Sequence, residues 1–204
     1  MSRKEASHMA ESEYTIGVLA LQGAFAEHEH ILKELHIRCR KIRQAKDLAE
    51  PVDGLILPGG ESTVQAKLLR ESGLLQPLQQ QINDRLPVMG TCAGLILLAQ
   101  ESSGRKQPAL STLPVRVRRN AYGRQLGSFA CDGTFANLGT VPLRFIRAPY
   151  IEEILDSSVQ VLQETGKHIT AVRCKNQLAM SFHPELTDDL RIHQYFLRMI
   201  QESR

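Results

Sequence analysis

Apolar residues along this chain form two kinds of pattern, short continuous runs and runs with helical spacing. A continuous run bounded by glycine or proline is typical of a strand buried on both faces, whereas spacing of three to four residues is typical of an amphipathic helix. The first half of the chain alternates between the two. Buried strands are predicted at residues 14–21, 52–58 and 87–90, and helices at residues 24–35, 62–72, 74–84 and 92–102.

This alternation predicts an α/β fold, because strands joined through helices form right-handed crossovers and a mainly parallel sheet covered on both sides. After Gly104 the pattern changes to short strand-like pieces separated by turns, which predicts short antiparallel strands in the C-terminal half. Residues 186–202 then predict a closing amphipathic helix, with Leu190, His193, Phe196, Leu197 and Ile200 on one side.

Residues 1–13 are polar and patternless, so we expect a disordered N-terminal extension, derived in part from a cloning junction. Residues 14–204 contain no internal repeat and no linker-like stretch, which predicts a single domain.

Composition narrows the function classes. The formal net charge of +3 is too small to argue for nucleic-acid binding, and no run of apolar residues is long enough for a membrane span. The four cysteines lie far apart with no metal-type spacing, so we expect neither a metal nor a cofactor, and a reducing cytoplasm as the location.

The strongest candidate chemistry lies in "GTCAG", residues 90–94, at a predicted joint between a strand and a helix. A sharp turn at this joint lifts the middle side chain into a cleft, and glycines on either side remove Cβ atoms that would collide. The first N–H groups of the helix stabilise a thiolate there. Cys92 is therefore a candidate nucleophile.

A thiol nucleophile needs a base, and "SFHPEL" at residues 181–186 offers His183 with Glu185 two positions later. Residues i and i+2 share a face in extended backbone, and we expect Pro184 to keep this segment extended. Glu185 would then orient one imidazole nitrogen while the other faces the thiol, which is a nucleophile–base–orienter arrangement.

A third candidate feature is "LPGGEST", residues 57–63, where two glycines follow a predicted strand. Such a turn lets backbone N–H groups approach a ligand closely. The spacing and the missing lysine exclude a Walker-type phosphate loop, and we expect Ser62 to cap the following helix. Gly60 of this loop, together with the N–H of Ala93, predicts an oxyanion hole.

These motifs together resemble the class I, triad-type glutamine amidotransferases, whose fold is a three-layer, flavodoxin-like sheet flanked by helices. The segments "LQGAFAEH", "RRNAYGRQLGSF" and "FIRAP" narrow the resemblance to the glutaminase subunits of pyridoxal 5′-phosphate (vitamin B6) synthases. The resemblance covers nearly all of residues 14–204.

The resemblance implies that Cys92, His183 and Glu185 hydrolyse L-glutamine through a glutamyl thioester. It also implies a synthase partner of (β/α)₈ type that receives the ammonia in a hetero-oligomer, with Gln22 as a coupling residue. The implied glutamine-binding residues are Gly60, Glu61, Ser62, Arg119, Ile146 and Arg147. No role is assigned to His28 and His30, which also fit solvated helix positions.

Two other functions remain open from the residues alone. One is another cysteine hydrolase of the same fold, such as a peptidase-like protein, although Arg119 and "FIRAP" favour an amino-acid-sized pocket. The other is a binding subunit without turnover, against which the intact Cys92, His183 and Glu185 argue.

Overall fold

The computed structural model describes residues 14–103, 109–119 and 128–203. The expected N-terminal extension and residues 120–127 of the "RRNAYGRQLGSF" segment lie outside these ranges. Within them, no helix is long and apolar enough to cross a membrane.

The strands and helices follow the predicted order closely in the first half of the chain. The strands are β1 (Thr15–Leu19), β2 (Arg38–Ile42), β3 (Gly54–Leu57), β4 (Val88–Thr91), β5 (Ala99–Ser103), β6 (Leu113–Arg118), β7 (Ser128–Phe135), β8 (Gly139–Ile146), β9 (Tyr150–Ile154), β10 (Gln160–Thr165), β11 (His168–Cys174) and β12 (Gln177–Met180). The helices are α1 (Phe25–Glu34), α2 (Ser62–Glu71), α3 (Leu75–Asn83), α4 (Ala93–Leu98) and α5 (Arg191–Glu202), with 3₁₀ turns at Ala45–Leu48 and Pro184–Leu186.

The central sheet has the strand order β2-β1-β3-β4-β12-β11-β9-β6-β5, and β10 pairs with β11 outside this path. The first five strands in this order run parallel to one another. Strands β11, β9 and β6 pair antiparallel beyond them, and β7 and β8 form a separate antiparallel pair. The predicted α/β class, with antiparallel strands in the C-terminal half, is confirmed.

Two buried apolar clusters lie on opposite faces of the sheet and give the molecule its three layers. In β3 and β4, successive side chains alternate between the clusters, as the pleat of a strand requires: Leu55 and Val88 point to one, Ile56 and Met89 to the other. Helices α2, α3 and α4 cover the first face. Helices α1 and α5 and the β7–β8 pair cover the second.

Two element boundaries and one strand differ most from the sequence prediction. The helix after Cys92 ends at Leu98, because residues 99–103 leave the helix to pair with β6. Helix α5 begins at Arg191 rather than at residue 186, because residues 184–186 form a 3₁₀ turn and Asp189 accepts a hydrogen bond from the N–H of Arg191. Strand β2 was not predicted, since its mostly exposed, basic residues lack an apolar run.

The cap of α2 is also corrected. The residue that caps this helix is Glu61, whose carboxylate accepts a hydrogen bond from the N–H of Thr63 at 3.2 Å, whereas Ser62 is the first helical residue. A carboxylate at this position suits the positive end of the helix dipole.

Candidate functional site

A cleft of about 1180 Å³ opens at the carboxyl ends of the parallel strands. Most of its walls come from the segments that follow β1, β3, β4 and β12, which is where open α/β sheets bind ligands. Residues at the end of β6 and in the β7–β8 pair complete the lining. Nine of the predicted site residues line it: Gln22, Gly60, Glu61, Ser62, Cys92, Arg119, Ile146, Arg147 and His183.

Cys92 lies at the sharp turn between β4 and α4, with φ 47° and ψ −97°. This left-handed backbone is costly for a residue with a side chain, and its presence between a strand and a helix is typical of a nucleophile turn. The neighbouring Gly94 is required by space, because a Cβ there would collide with the carbonyl of Leu57. The thiol is largely buried, and its Sγ lies 3.8 Å from the carbonyl oxygen of Ile146.

His183 and Glu185 follow β12 and face the same site. The Nδ1 atom of His183 lies 2.7 Å from Oε1 of Glu185, and the carboxylate side chain has no exposed surface. The predicted pairing is therefore present, but the predicted extended segment is wrong, since Pro184–Leu186 form a 3₁₀ turn. His183 itself, with φ −111° and ψ 88°, stays outside the helical region as expected before proline.

The electrostatics of this pair favour a charged imidazole. Burial alone would lower the pKa of His183, but its interactions with Cys92 and Glu185 outweigh burial and raise that pKa to about 10. In contrast, burial would raise the pKa of Glu185, and the histidines around it lower that pKa instead. The site can therefore stabilise an imidazolium between a carboxylate and a sulfur atom.

The loop after β3 brings backbone amides to the cleft and is held from two sides. Its Gly59 N–H donates to Oγ1 of Thr91 at 2.9 Å, and its Glu61 N–H donates to Oε1 of Gln22 at 2.8 Å. A Cβ at Gly59 would collide with the His183 ring, so only glycine allows this approach. Among the described residues, no hydrogen bond engages the N–H of Gly60. Ala93 is fully buried as the first residue of α4, and such an N–H has no partner inside its own helix.

Charged side chains surround the far part of the cleft. Arg119 Nη2 lies 3.3 Å from Oε1 of Glu61, and the Arg119 side chain is only 28% exposed. Hydrogen bonds from Thr63 lower the pKa of Glu61, and the charges of Arg119 and Arg147 lower it further. Arg147 has φ 42°, which turns the chain out of β8 beside the cleft. Both arginines therefore belong to the cleft rather than to an unrelated surface.

Two site-associated residues were missed by the sequence analysis. His28 is fully buried, not solvated, and its Nε2 atom lies 3.4 Å from Oε2 of Glu185. His193 of α5 is buried behind it, with 3.0 Å between its Nε2 and Nδ1 of His28. The sequence pattern did indicate that His28 is buried, because this residue follows Phe25 by three positions and therefore lies on the apolar face of α1. His30, two positions later, is exposed as expected.

Across residues 14–103, 109–119 and 128–203, no group of three histidine, cysteine, aspartate or glutamate side chains is arranged to hold an ion.

Comparison with known proteins agrees with the motifs. Residues 18–202 match the model of the SNO glutamine amidotransferase family. A protein of Desulfitobacterium hafniense named pyridoxal 5′-phosphate synthase subunit PdxT is 56% identical over 93% of this chain and 94% of its own length. One of the same name from Streptococcus pneumoniae is 48% identical over 92% of this chain and 98% of its own.

Solved structures show the same fold. A crystal structure described as a glutamine amidotransferase superposes with a TM-score of 0.87 at 45% identity, covering 91% of this chain and 98% of that one. A glutamine amidotransferase of Thermotoga maritima has a TM-score of 0.61 at 14% identity, covering 94% of this chain and 98% of that one, and it supports the fold alone. The protein described here belongs to the SNO glutamine amidotransferase family.

Proposed function

We propose that this protein is the glutaminase subunit of a pyridoxal 5′-phosphate synthase, hydrolysing L-glutamine and passing the ammonia to a synthase subunit. The observation that carries the proposal is the cleft itself, where a cysteine in a strained turn meets a buried histidine–carboxylate pair. Membership of the family and the names of the relatives give the substrate and the pathway.

In the first half of the proposed reaction, the thiol proton of Cys92 passes to Nε2 of His183, and Sγ attacks the side-chain amide carbon of glutamine. Negative charge develops on the amide oxygen, where the N–H groups of Gly60 and Ala93 can donate hydrogen bonds, each worth roughly 10²–10³ in rate. His183 then gives its Nε2 proton to the departing nitrogen. The products are ammonia and a glutamyl thioester on Cys92.

In the second half, His183 takes a proton from water, and the resulting hydroxide attacks the thioester carbon. The carbon–sulfur bond breaks, His183 returns its proton to Sγ, and glutamate leaves with the thiol restored. Glu185 stays ionised throughout and holds Nδ1–H of His183, so that Nε2 always faces the reacting atoms.

The charged groups of the cleft suit the amino-acid end of glutamine. We propose that Arg119 and Arg147 bind the α-carboxylate and that Glu61 binds the α-ammonium group, since each then meets a charge of opposite sign. Ser62 and the carbonyl of Ile146 line the remaining wall.

The decisive experiment is glutamine hydrolysis with and without the synthase subunit, followed by mass analysis after treatment with a covalent glutamine analogue. We expect the label on Cys92, and no ammonia from Cys92→Ala. Cys39→Ala is the matched control, because burial and then the charge of nearby Glu29 raise the pKa of Cys39 to about 12 and keep it protonated. Labelling of another cysteine, or full ammonia release by Cys92→Ala, would contradict the proposal. Ammonia release by the wild-type protein that is lost in Cys92→Ala would decide against a subunit without turnover.

We further propose that the partner is of (β/α)₈ type and that Gln22 couples its docking to the site. Gln22 supports this role because its side chain accepts from the Glu61 N–H and its carbonyl accepts from Nε2 of Gln65 at 2.8 Å. A shift of the segment after β1 would therefore move the loop that carries Gly60. Gln22→Ala should reduce the stimulation of ammonia release by the synthase, whereas Gln76→Ala, on the exposed side of α3, should not.

We also propose a cytoplasmic location. All four cysteines are free, which is the usual state in a reducing compartment.

A further inference from the structure

Two buried histidines, His28 and His193, lie on the side of Glu185 away from the cleft and have no part in the proposed reaction. His28 reaches Glu185 from α1, and His193 reaches His28 from α5. The side chains of His28 and Glu185 have no exposed surface, and His193 is 1% exposed. A polar chain this deeply buried needs each of its protons to be placed between a donor and an acceptor.

Burial favours the neutral form of both rings. Burial lowers the pKa of His193 to about 3, with a further contribution from His28. Burial also lowers the pKa of His28, and the negative charge of Glu185 offsets only part of this effect. Each neutral ring carries one N–H, so only two tautomer arrangements are consistent with the 3.0 Å contact between them.

The geometry distinguishes these two arrangements. The Nε2 atom of His28 lies 3.4 Å from Oε2 of Glu185 and 3.3 Å from Oγ1 of Thr91. If His28 carries its proton on Nε2, that N–H faces these two oxygen atoms, and Nδ1 accepts from Nε2–H of His193. Among the described side-chain atoms of His28, His193 and Glu185, Nδ1 of His193 and Oε2 of Glu185 have no other hydrogen-bond partner. In this arrangement both are acceptors, and the Nε2–H of His28 is the donor near Oε2. In the other arrangement, Nδ1 of His193 is a buried donor without an acceptor, and a lone pair of His28 faces a carboxylate. Buried N–H groups without a partner are the rarer and costlier case.

We propose that His28 is a positioning residue for the triad, its Nε2–H holding Oε2 of Glu185 so that Oε1 remains directed at His183. The inference rests on the proposed glutaminase function. Oε1 has two neighbours, Nδ1 of His183 at 2.7 Å and Oγ1 of Thr91 at 3.4 Å. Among the described residues, His28 is the group that lies within ion-pair distance of Oε2. Without it, the carboxylate is free to rotate about its last bond, because that torsion has a broad energy minimum.

A matched pair of substitutions separates positioning from simple filling of space. In His28→Gln the amide nitrogen lies where Nε2 was, so the donor to Glu185 is kept. In His28→Asn the shorter side chain places its amide where Nδ1 was, so the contact with His193 is kept and the donor to Glu185 is lost. Each variant buries one amide and keeps one of the two contacts.

We expect His28→Asn to lower kcat by about 10- to 100-fold, the factor that a hydrogen bond to a charged group provides. KM for glutamine should change little, because His28 does not line the cleft. His28→Gln should retain most of the wild-type kcat. The corresponding changes at His30, exposed on the same helix, are the controls and should leave kcat unchanged.

The assay is ammonia release by the complex with the synthase subunit, together with thermal unfolding of each variant. Equal kcat losses in the Gln and Asn variants, at similar unfolding temperatures, would overturn the proposal. Nitrogen NMR of the wild-type histidine rings gives a second test that needs no variant. A proton on Nε2 of His28 is expected, and a proton on Nδ1 would overturn the proposal. A wild-type complex that releases no ammonia would instead refute the proposed function.

Discussion

Replacing Glu185 by glutamine tests the central contact of the proposed site. The change keeps the size of the side chain but removes its charge, at an atom 2.7 Å from Nδ1 of His183. Because the carboxylate side chain has no exposed surface and that of His183 is 7% exposed, solvent screens the pair little. At this separation the attraction between the two charges is about 6 kcal/mol for an effective dielectric constant near 20.

Only part of that attraction is lost in the measured rate, because burial of the two charges opposes it. A hydrogen bond to a charged group contributes about 1.5–3 kcal/mol. In a serine protease triad, loss of the correct imidazole tautomer lowers kcat by about 10⁴-fold. We therefore expect Glu185→Gln to lower kcat/KM on the order of 10²–10⁴-fold. The pKa of His183 should also fall, because the hydrogen bond and the charge of Glu185 both raise it.

The assay is glutamate formation by the complex across pH 6–10. We expect the alkaline limb of the kcat/KM profile to move to lower pH in the variant, as the imidazolium loses its support. Glu202→Gln is the control, because Glu202 is an exposed partner of Arg173 and such pairs contribute about 1 kcal/mol or less. A Glu185→Gln enzyme within about threefold of the wild type, with an unmoved alkaline limb, would refute the assigned orienting role.

Three further predictions follow from the site. Gly94→Ala should destabilise the fold by about 1–3 kcal/mol in denaturant unfolding, because the new Cβ meets a strand carbonyl. Gly166→Ala should cost less, because its new Cβ meets no atom within 4 Å and only the strain of its φ of 60° remains. Arg119→Ala should raise KM for glutamine about tenfold or more with little change in kcat, whereas the exposed Arg118→Ala should leave both unchanged; an equal effect of the two would remove Arg119 from the substrate site. Folding stability should fall between about pH 6.5 and 10, because the folded-state pKa of His183 is raised: its contribution is full below the unfolded value and lost as the pH passes the folded one. The wild-type protein and His183→Gln, compared by thermal unfolding across this range, should converge at high pH, and parallel curves would contradict the raised pKa.

Much of the fold was predictable because the chain's local patterns and its tertiary structure agree. The apolar runs before Gly23, Gly59 and Cys92 are strands buried on both faces, and such strands are recognisable from a few residues. Strand β2 was missed for the opposite reason. It lies at the sheet edge with exposed basic side chains, so that only its pairing with β1 defines it as a strand.

The sequence by itself determined which residue types stand at the ends of the strands. The position of Cys92 between two glycines is a local feature, and so is the spacing of two residues between His183 and Glu185. Local features of this kind can be recognised directly in the amino-acid sequence. The tertiary structure alone decided how they meet. The contact of Glu185 with His183 comes from a 3₁₀ turn rather than an extended segment, and its contact with His28 joins residues far apart in the chain. Contacts of that kind depend on strand order and helix packing, which place a histidine of α1 against a carboxylate after β12 and bury both.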